Sequence, residues 1–379
     1  MSDVPLWHSK RQQKRTVKER FIGCLLGGAV GDALGAPVEF MRRSEILSTF
    51  GPDGITEYAP AYGGLGTITD DTQMTLFTAE GLLRAHVRGC FRGICHAPSG
   101  VSHAYLRWLL TQGERPDKNV GKIGDDGWFF QQRALHSRRA PGNTCLSALK
   151  AMKAFGDPAH NDSKGCGGVM RAAPLGLIGL SWGWGAQGIF RDGIEVAALT
   201  HGHPTGQLPA GVLAVLTLAL TDGASLQEGL ITAKALLRNE ARHEETLHAI
   251  EKAETLAAFS VPHHEAIAQL GQGWIAEEAL AISIYCALVA RTFKQGIILA
   301  VNHDGDSDST GSITGNLLGA MYGMKAIPAV WLEPLELREV ITEIAEDLYA
   351  CRDWDIGRSE FGKNNEELNE RIWQKYPGW

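Results

Sequence analysis

Residues 21–35 read Phe21-Ile22-Gly23-Cys24-Leu25-Leu26-Gly27-Gly28-Ala29-Val30-Gly31-Asp32-Ala33-Leu34-Gly35. Glycine returns every four residues at Gly23, Gly27, Gly31 and Gly35, and the same interval recurs at Gly311, Gly315, Gly319 and Gly323. On a helix, a spacing of four keeps residues on one slowly drifting face. Glycine costs about 1 kcal/mol per helix position relative to alanine, so these two runs need a compensating contact. A face without side chains lets another backbone approach closely. Two glycine-faced helices, buried deep in one domain, are expected; spacing alone does not say whether they face each other or separate neighbours.

Outward from these runs the texture is helical. Thr75–Val87, Thr144–Phe155, Ile194–Thr200, Ala210–Thr221, Ser225–Arg238, Glu244–Phe259, Ala276–Phe293 and Leu335–Ala350 are rich in Ala and Leu, with polar residues at helical spacing. Strand-like alternation is scarce, and no repeat of solenoid length occurs. Gly, Pro and Asp punctuate 51–66, 113–127, 138–143, 156–168 and 302–311, which are read as loops. The fold class expected is all-α.

The chain has 379 residues, 44% of them hydrophobic and 21% charged, which is enough for a large core. A net charge of −7 argues against a general nucleic-acid binder. Seven scattered cysteines without a C-x-x-C pair suit free thiols in a reducing, cytoplasmic compartment. The basic stretch Lys10–Arg20 followed by Phe21–Leu26 imitates a signal peptide, but the apolar part is glycine-rich and holds Asp32. The apolar run Leu208–Thr221, bracketed by Pro209 and Asp222, is read as a buried helix and not as a membrane span. Composition divides the chain into a basic arm (1–20), a main domain (21–350) and a charged tail (351–379).

Two oxygen-rich clusters carry the chemistry. Asp304-Gly305-Asp306-Ser307-Asp308-Ser309-Thr310-Gly311 crowds carboxylates and hydroxyls into one loop, and Thr69-Asp70-Asp71-Thr72 stands more than two hundred residues earlier, where a helix should start. Carboxylates so close repel unless protons or a cation neutralise them, and hard cations such as Mg²⁺ take such oxygens. An EF-hand fails, because its sixth position would be Ser309 and its twelfth Gly315. Asp306-Ser307-Asp308-Ser309-Thr310 also fits a D-x-D-x-T phosphatase loop, with Ile297–Val301 as its preceding strand, although that loop normally opens an alternating α/β chain. Helix capping by acidic residues is the plain alternative for both clusters.

Taken together, Gly27–Gly35 with Glu39, Thr69–Thr72, Gly165-Cys166-Gly167-Gly168-Val169-Met170-Arg171, Thr200-His201-Gly202-His203-Pro204 and Asn302–Gly311 resemble the ADP-ribosylglycohydrolase family, which includes the dinitrogenase reductase-activating glycohydrolases. The resemblance runs from about residue 21 to about residue 325, with all five motifs in order.

What the resemblance implies is a nearly all-α single domain with a dinuclear Mg²⁺ or Mn²⁺ centre at the base of an ADP-ribose cleft. The implied metal ligands are Thr69, Asp70, Asp71, Asp306, Asp308 and Ser309. Glu39, Asp70 and Asp71 are the implied catalytic carboxylates; which of them is the base stays open. Gly165, Gly167, Gly168, Met170, Arg171 and His201 are implied on the substrate side, with the glycine loop offering N–H groups to a diphosphate. Asp304 would border the substrate as an extra carboxylate where many members have glycine, and Ser309 stands where many have threonine. The expected function is removal of ADP-ribose from a modified protein side chain, arginine first. A protective role against an ADP-ribosylating toxin is a further expectation; a rival is a protein that blocks an ADP-ribosyltransferase through the 1–20 arm.

Other residues have blander expectations. Cys166 reads as a small filler, without a basic neighbour to activate it. Arg139-Ala140-Pro141-Gly142-Asn143-Thr144 reads as a turn capping a helix. Trp108, Trp128, Trp182 and Trp184 read as packing residues with an option of stacking on adenine.

Overall fold

The computed structural model describes residues 14–357 and 365–379, with side chains from Thr16 onward. Its helices are α1 (Lys14–Gly35), α2 (Arg43–Phe50), α3 (Asp70–Arg92), α4 (Ala97–Thr111), α5 (Asn143–Ala151), α6 (Ala173–Trp182), α7 (Ala186–Ala198), α8 (Pro204–Asp222), α9 (Leu226–Leu237), α10 (Glu244–Ala258), α11 (His263–Leu270), α12 (Ala276–Val289), α13 (Phe293–Val301), α14 (Ser307–Tyr322), α15 (Ala329–Leu332), α16 (Arg338–Ala350) and α17 (Glu366–Lys375). Among the described residues there is no strand, only two isolated bridges, Ala61 with Gly64 and Gly165 with Ile275. The all-α expectation holds. The phosphatase alternative loses its support, because Ile297–Val301 lies inside helix α13 and no parallel sheet exists among the described residues.

The two glycine runs face each other. A Cβ added to Gly31 would lie 1.9 Å from the carbonyl oxygen of Gly311; one on Gly315 would lie 2.0 Å from that of Gly27, and one on Gly319 1.9 Å from that of Gly23. Helices α1 and α14 therefore pack backbone on backbone, where dispersion and Cα–H···O contacts replace side-chain packing. Asn316 seals the seam by donating to Cys24 O at 2.8 Å. At the far end, a Cβ on Gly35 would sit 2.3 Å from Ser307 O. The seam thus sets the first turn of α14 beside the last turn of α1.

Several boundaries differ from those suggested by composition. Helix α1 starts at Lys14, inside the arm assigned to 1–20, with Lys18 paired to Glu346 at 3.0 Å and Arg20 donating to Leu220 O at 3.0 Å. The C-terminal residues also pack on the domain: Tyr376 is fully buried, Arg84 donates to Pro377 O at 3.2 Å, and the Trp379 ring stacks on His103 at 4.5 Å. Helix α4 carries Ser102, His103 and Arg107 into the interior, so its apolar periodicity is broken in the sequence. Arg107 is held there by Glu80 at 2.5 Å. Helices α1 and α8 are long and apolar enough to cross a membrane by length and composition, and both are buried along most of their length inside the fold.

Candidate metal centre

Three chain segments converge at the end of the glycine seam. After α1, the short turn Ala36–Val38 delivers Glu39. Helix α3 opens with Thr69 as its N-cap, whose hydroxyl accepts from Asp71 N at 3.3 Å. Helix α14 opens with Asp306 as N-cap, accepting from Ser309 N at 3.3 Å. Before it, Gly305 takes φ +122°, and a Cβ there would lie 2.1 Å from Gln272 O, so only glycine fits this turn. Asp306 N donates to Gln272 O at 2.8 Å, which fixes the loop from behind.

Asp32 locks the first two segments together. It lies fully buried in α1 and accepts from Thr69 N at 3.0 Å and from Thr72 N at 3.1 Å, with the Thr72 hydroxyl donating as well. A carboxylate at a helix N-terminus is favoured by the orphan N–H groups and the helix dipole. Asp32 therefore holds Asp70 and Asp71 in place from a position the sequence reading left without a role. Asp70 is also held by Gly142 N at 3.2 Å, while Asp70 N donates to Arg139 O at 3.3 Å. The segment 139–143 thus does more than cap α5; it closes on the site.

The result is a pit of buried carboxylates. Glu39, Asp70, Asp71, Asp306 and Asp308 are all at most 7% exposed. Glu39, Asp306 and Asp308 each present an oxygen within 4.8 Å of the others. Burial, then the charges of Asp308, Asp306 and Asp70, push the Glu39 carboxyl up to about 11. Burial and Asp308 raise Asp32 to about 7, against its hydrogen bonds from Thr72 and Thr69. Asp70, Asp71, Asp306 and Asp308 are raised in the same direction, burial first. Among the described residues, no lysine or arginine forms an ion pair with any of these five pit carboxylates. Two oxygens, Glu39 Oε2 and Asp71 Oδ1, are buried without a hydrogen-bond partner. Buried acceptors without donors cost free energy, and hard oxygen donors of this kind fit divalent cations.

The remaining expected site residues fall around this pit. Ser309 lies on its wall, its N–H 3.0 Å from Asp308 Oδ1. Met170 is buried with its sulfur 3.9 Å from Ser309 Oγ. Gly165 and Gly167 sit over His201, 3.3 and 3.2 Å from its ring measured from an added Cβ, and a Cβ on Gly168 would meet Gly206 O at 2.7 Å. An open N–H cradle does not hold at the start of this loop, because Gly165 N donates to Ser163 Oγ and Cys166 N to Trp274 O, both at 3.2 Å.

Arg171 lies beneath the loop, wholly buried, 4.3 Å over the Tyr105 ring, donating to Thr200 Oγ1 at 2.5 Å. Thr200 Oγ1 in turn meets His201 Nδ1 at 2.8 Å. Arg171 and His201 thus support the loop from inside and present no exposed face to a ligand. Burial, then Arg171, lowers His201 to about 3, so its ring is neutral. Asp304 is exposed and accepts from Arg43 N at 2.6 Å at the start of α2.

Two exposed aromatics frame the site and were missed by the sequence reading. Phe40, 74% exposed, follows Glu39 and stacks on Trp274 at 5.9 Å and 18°. Their signal was local: an aromatic directly after a candidate catalytic glutamate. The pair offers a flat apolar face to a planar group. By contrast Trp108 is fully buried and donates to Gln73, and Trp182 donates to His86, so both serve packing.

Comparison with known proteins bears on this geometry. Residues 13–356 match the profile of the ADP-ribosylglycohydrolase family. The chain belongs to the ADP-ribosylglycohydrolase family. It is 27% identical to the ADP-ribosyl-[dinitrogen reductase] glycohydrolase of Rhodospirillum rubrum, over 85% of this chain and 92% of the relative. It is 24% identical to the ADP-ribosylarginine hydrolase Tri1 of Serratia proteamaculans, over 86% and 78%. The solved ADP-ribosylglycohydrolase-related protein complex superposes with a TM-score of 0.66 at 29% identity, over 89% of this chain and 99% of the other. Family membership makes this chain an ADP-ribosyl hydrolase, a glycosidase of ADP-ribose linkages. Identities this low do not single out one linkage.

Proposed function

We propose that this hydrolase removes ADP-ribose from arginine side chains of modified proteins, using two divalent cations, Mg²⁺ or Mn²⁺. The observation that carries the reading is the buried set Glu39, Asp70, Asp71, Asp306 and Asp308, none of which forms an ion pair with a lysine or arginine among the described residues. Thr69, Asp70, Asp71, Asp306, Asp308 and Ser309 would hold the cations, whose charge, when bound, neutralises the pit and polarises ribose hydroxyls and water.

The protein's own groups divide the remaining work. Hydrolysis at the anomeric carbon passes through an oxocarbenium-like state, so negative charge nearby favours it. Glu39, with Oε2 unpartnered, would orient the attacking water and take its proton once bound cations had displaced the proton that burial and the neighbouring aspartates hold on it. Asp32 pins the first turn of α3 through Thr69 N and Thr72 N, and Gly142 N holds the Asp70 carboxylate in the pit. Phe40 and Trp274 shield one side of the entrance.

The arginine preference rests on the similarity to the arginine-linkage relative. Side-by-side digestion of arginine-linked and serine-linked ADP-ribosyl proteins tests it: release from arginine alone is expected, and release from serine alone overturns it. A cytoplasmic location accords with seven unpaired cysteines. In protection against an ADP-ribosylating toxin, the cleft would reverse the modification. Direct blocking of a transferase by the 1–20 segment is the less favoured reading, because Lys18 and Arg20 are committed to this domain. Alanine at Asp70 and Asp71, set against deletion of 1–20, separates the two; protection lost only with the deletion would favour blocking.

A further inference from the structure

One wall of the carboxylate pit is made of sulfur. Cys166 points its thiol at Asp306, Sγ to Oδ2 at 2.9 Å. Ser309 Oγ lies 3.6 Å from the same sulfur and 3.9 Å from Met170 Sδ. A carboxylate oxygen, a thiol, a hydroxyl and a thioether thus follow one another in a continuous chain of contacts, Asp306, Cys166, Ser309 and Met170. Asp71, another carboxylate of the pit, is 3% exposed and has its Oδ1 buried without a partner. Cys166 packs against the apolar core, yet its thiol donates to a carboxylate.

Hard cations take oxygen ligands, whereas thiolate and thioether select softer ones. We infer that Cys166, Met170 and Asp306 form a binding site for a thiophilic divalent cation of the Zn²⁺ or Cd²⁺ class, overlapping the oxygen-lined pit. On binding, the Cys166 S–H bond breaks, its electron pair forms the sulfur–metal bond, and the proton leaves through Asp306 to solvent; no electron is transferred. A soft cation held here occupies Asp306 and so inhibits the enzyme. That consequence rests on the hydrolase reading, but the cation site itself does not.

The test uses the full chain, first treated with chelator, and Cd²⁺ alone as probe. Cys90 and Cys95, the partly accessible thiols elsewhere, are replaced by serine as background. A saturable ultraviolet thiolate-to-cadmium charge-transfer band is expected in this background and is lost on adding Cys166→Ser. In the unmutated protein, Cd²⁺ should slow alkylation of Cys166 by about tenfold or more, the scale of disturbing a metal's surroundings. A band that survives Cys166→Ser, no band in the background protein, or an unchanged alkylation rate each overturns the inference. None of these readouts depends on ADP-ribose release.

Discussion

Gly31 and Gly311 meet backbone to backbone, so closely that a Cβ on Gly31 would fall 1.9 Å from Gly311 O. That contact fixes where α14 begins and hence where Asp306 and Asp308 stand relative to Glu39. Gly31→Ala should therefore cost about 3 kcal/mol or more, at the upper end of overpacking penalties, and lower activity by displacing α14. Gly188→Ala, in helix α7 with open space around it, is the control and should stabilise by up to about 1 kcal/mol. Denaturant melts of the two variants decide it; equal effects would remove the seam from the account.

The raised carboxyls give a pH dependence whose sign is fixed. Asp32 at about 7 and Glu39 at about 11, with the four other aspartates also raised, bind protons in the folded chain that the unfolded chain has released. Stability without metal is then full at low pH and falls as pH rises through the folded values. In chelator, the melting temperature should drop between about pH 5 and about pH 8, and Mg²⁺ should raise it more at the higher pH. A melting temperature that climbs with pH in chelator would count against the pit as described.

Asp304 is exposed, unlike the buried pit carboxylates, and accepts from Arg43 N at 2.6 Å. Asp304→Gly should leave kcat/KM within about threefold, costing at most about 1 kcal/mol of stability through the lost helix-start contact. A loss of a hundredfold or so would place this carboxylate in substrate handling after all.

Much of this was legible in the sequence, for physical reasons. Glycine at fixed intervals is costly in helices, so it announced α1 and α14, and clustered carboxylates announced both halves of the site. What could not be read was direction. Arg171 follows a glycine loop and is implied on the substrate side by the resemblance, yet it points inward to Tyr105 and Thr200. Asp32 reads as an oddity in an apolar helix; only tertiary closure brings it to Thr69 and Thr72. Helix α4 stayed hidden because Ser102, His103 and Arg107 interrupt its buried apolar face, and the partner of Arg107, Glu80, is not revealed by sequence spacing.

Arg171 supports a prediction of its own. The partners of the Arg171 guanidinium are the neutral groups of Met74, Cys145 and Thr200, so an apolar side chain of similar volume strands no buried counter-charge and removes the cost of burying a cation. Arg171→Met should melt within about 1 kcal/mol of the parent, while loss of the Arg171–Thr200–His201 chain loosens the glycine loop and lowers kcat/KM by about tenfold. Unchanged kinetics would confine Arg171 to packing.

The central claim is that the carboxylate pit is a metal-dependent hydrolytic site for arginine-linked ADP-ribose. Its most direct test follows ADP-ribose released from an arginine-ADP-ribosylated protein by mass spectrometry, in Mg²⁺ and in chelator, with the parent chain and with Asp70 and Asp71 replaced by alanine. Release by the parent in Mg²⁺, with loss of about a thousandfold in chelator or in the variant, is the predicted result. Equal release with and without metal, or by the double variant, would contradict the account.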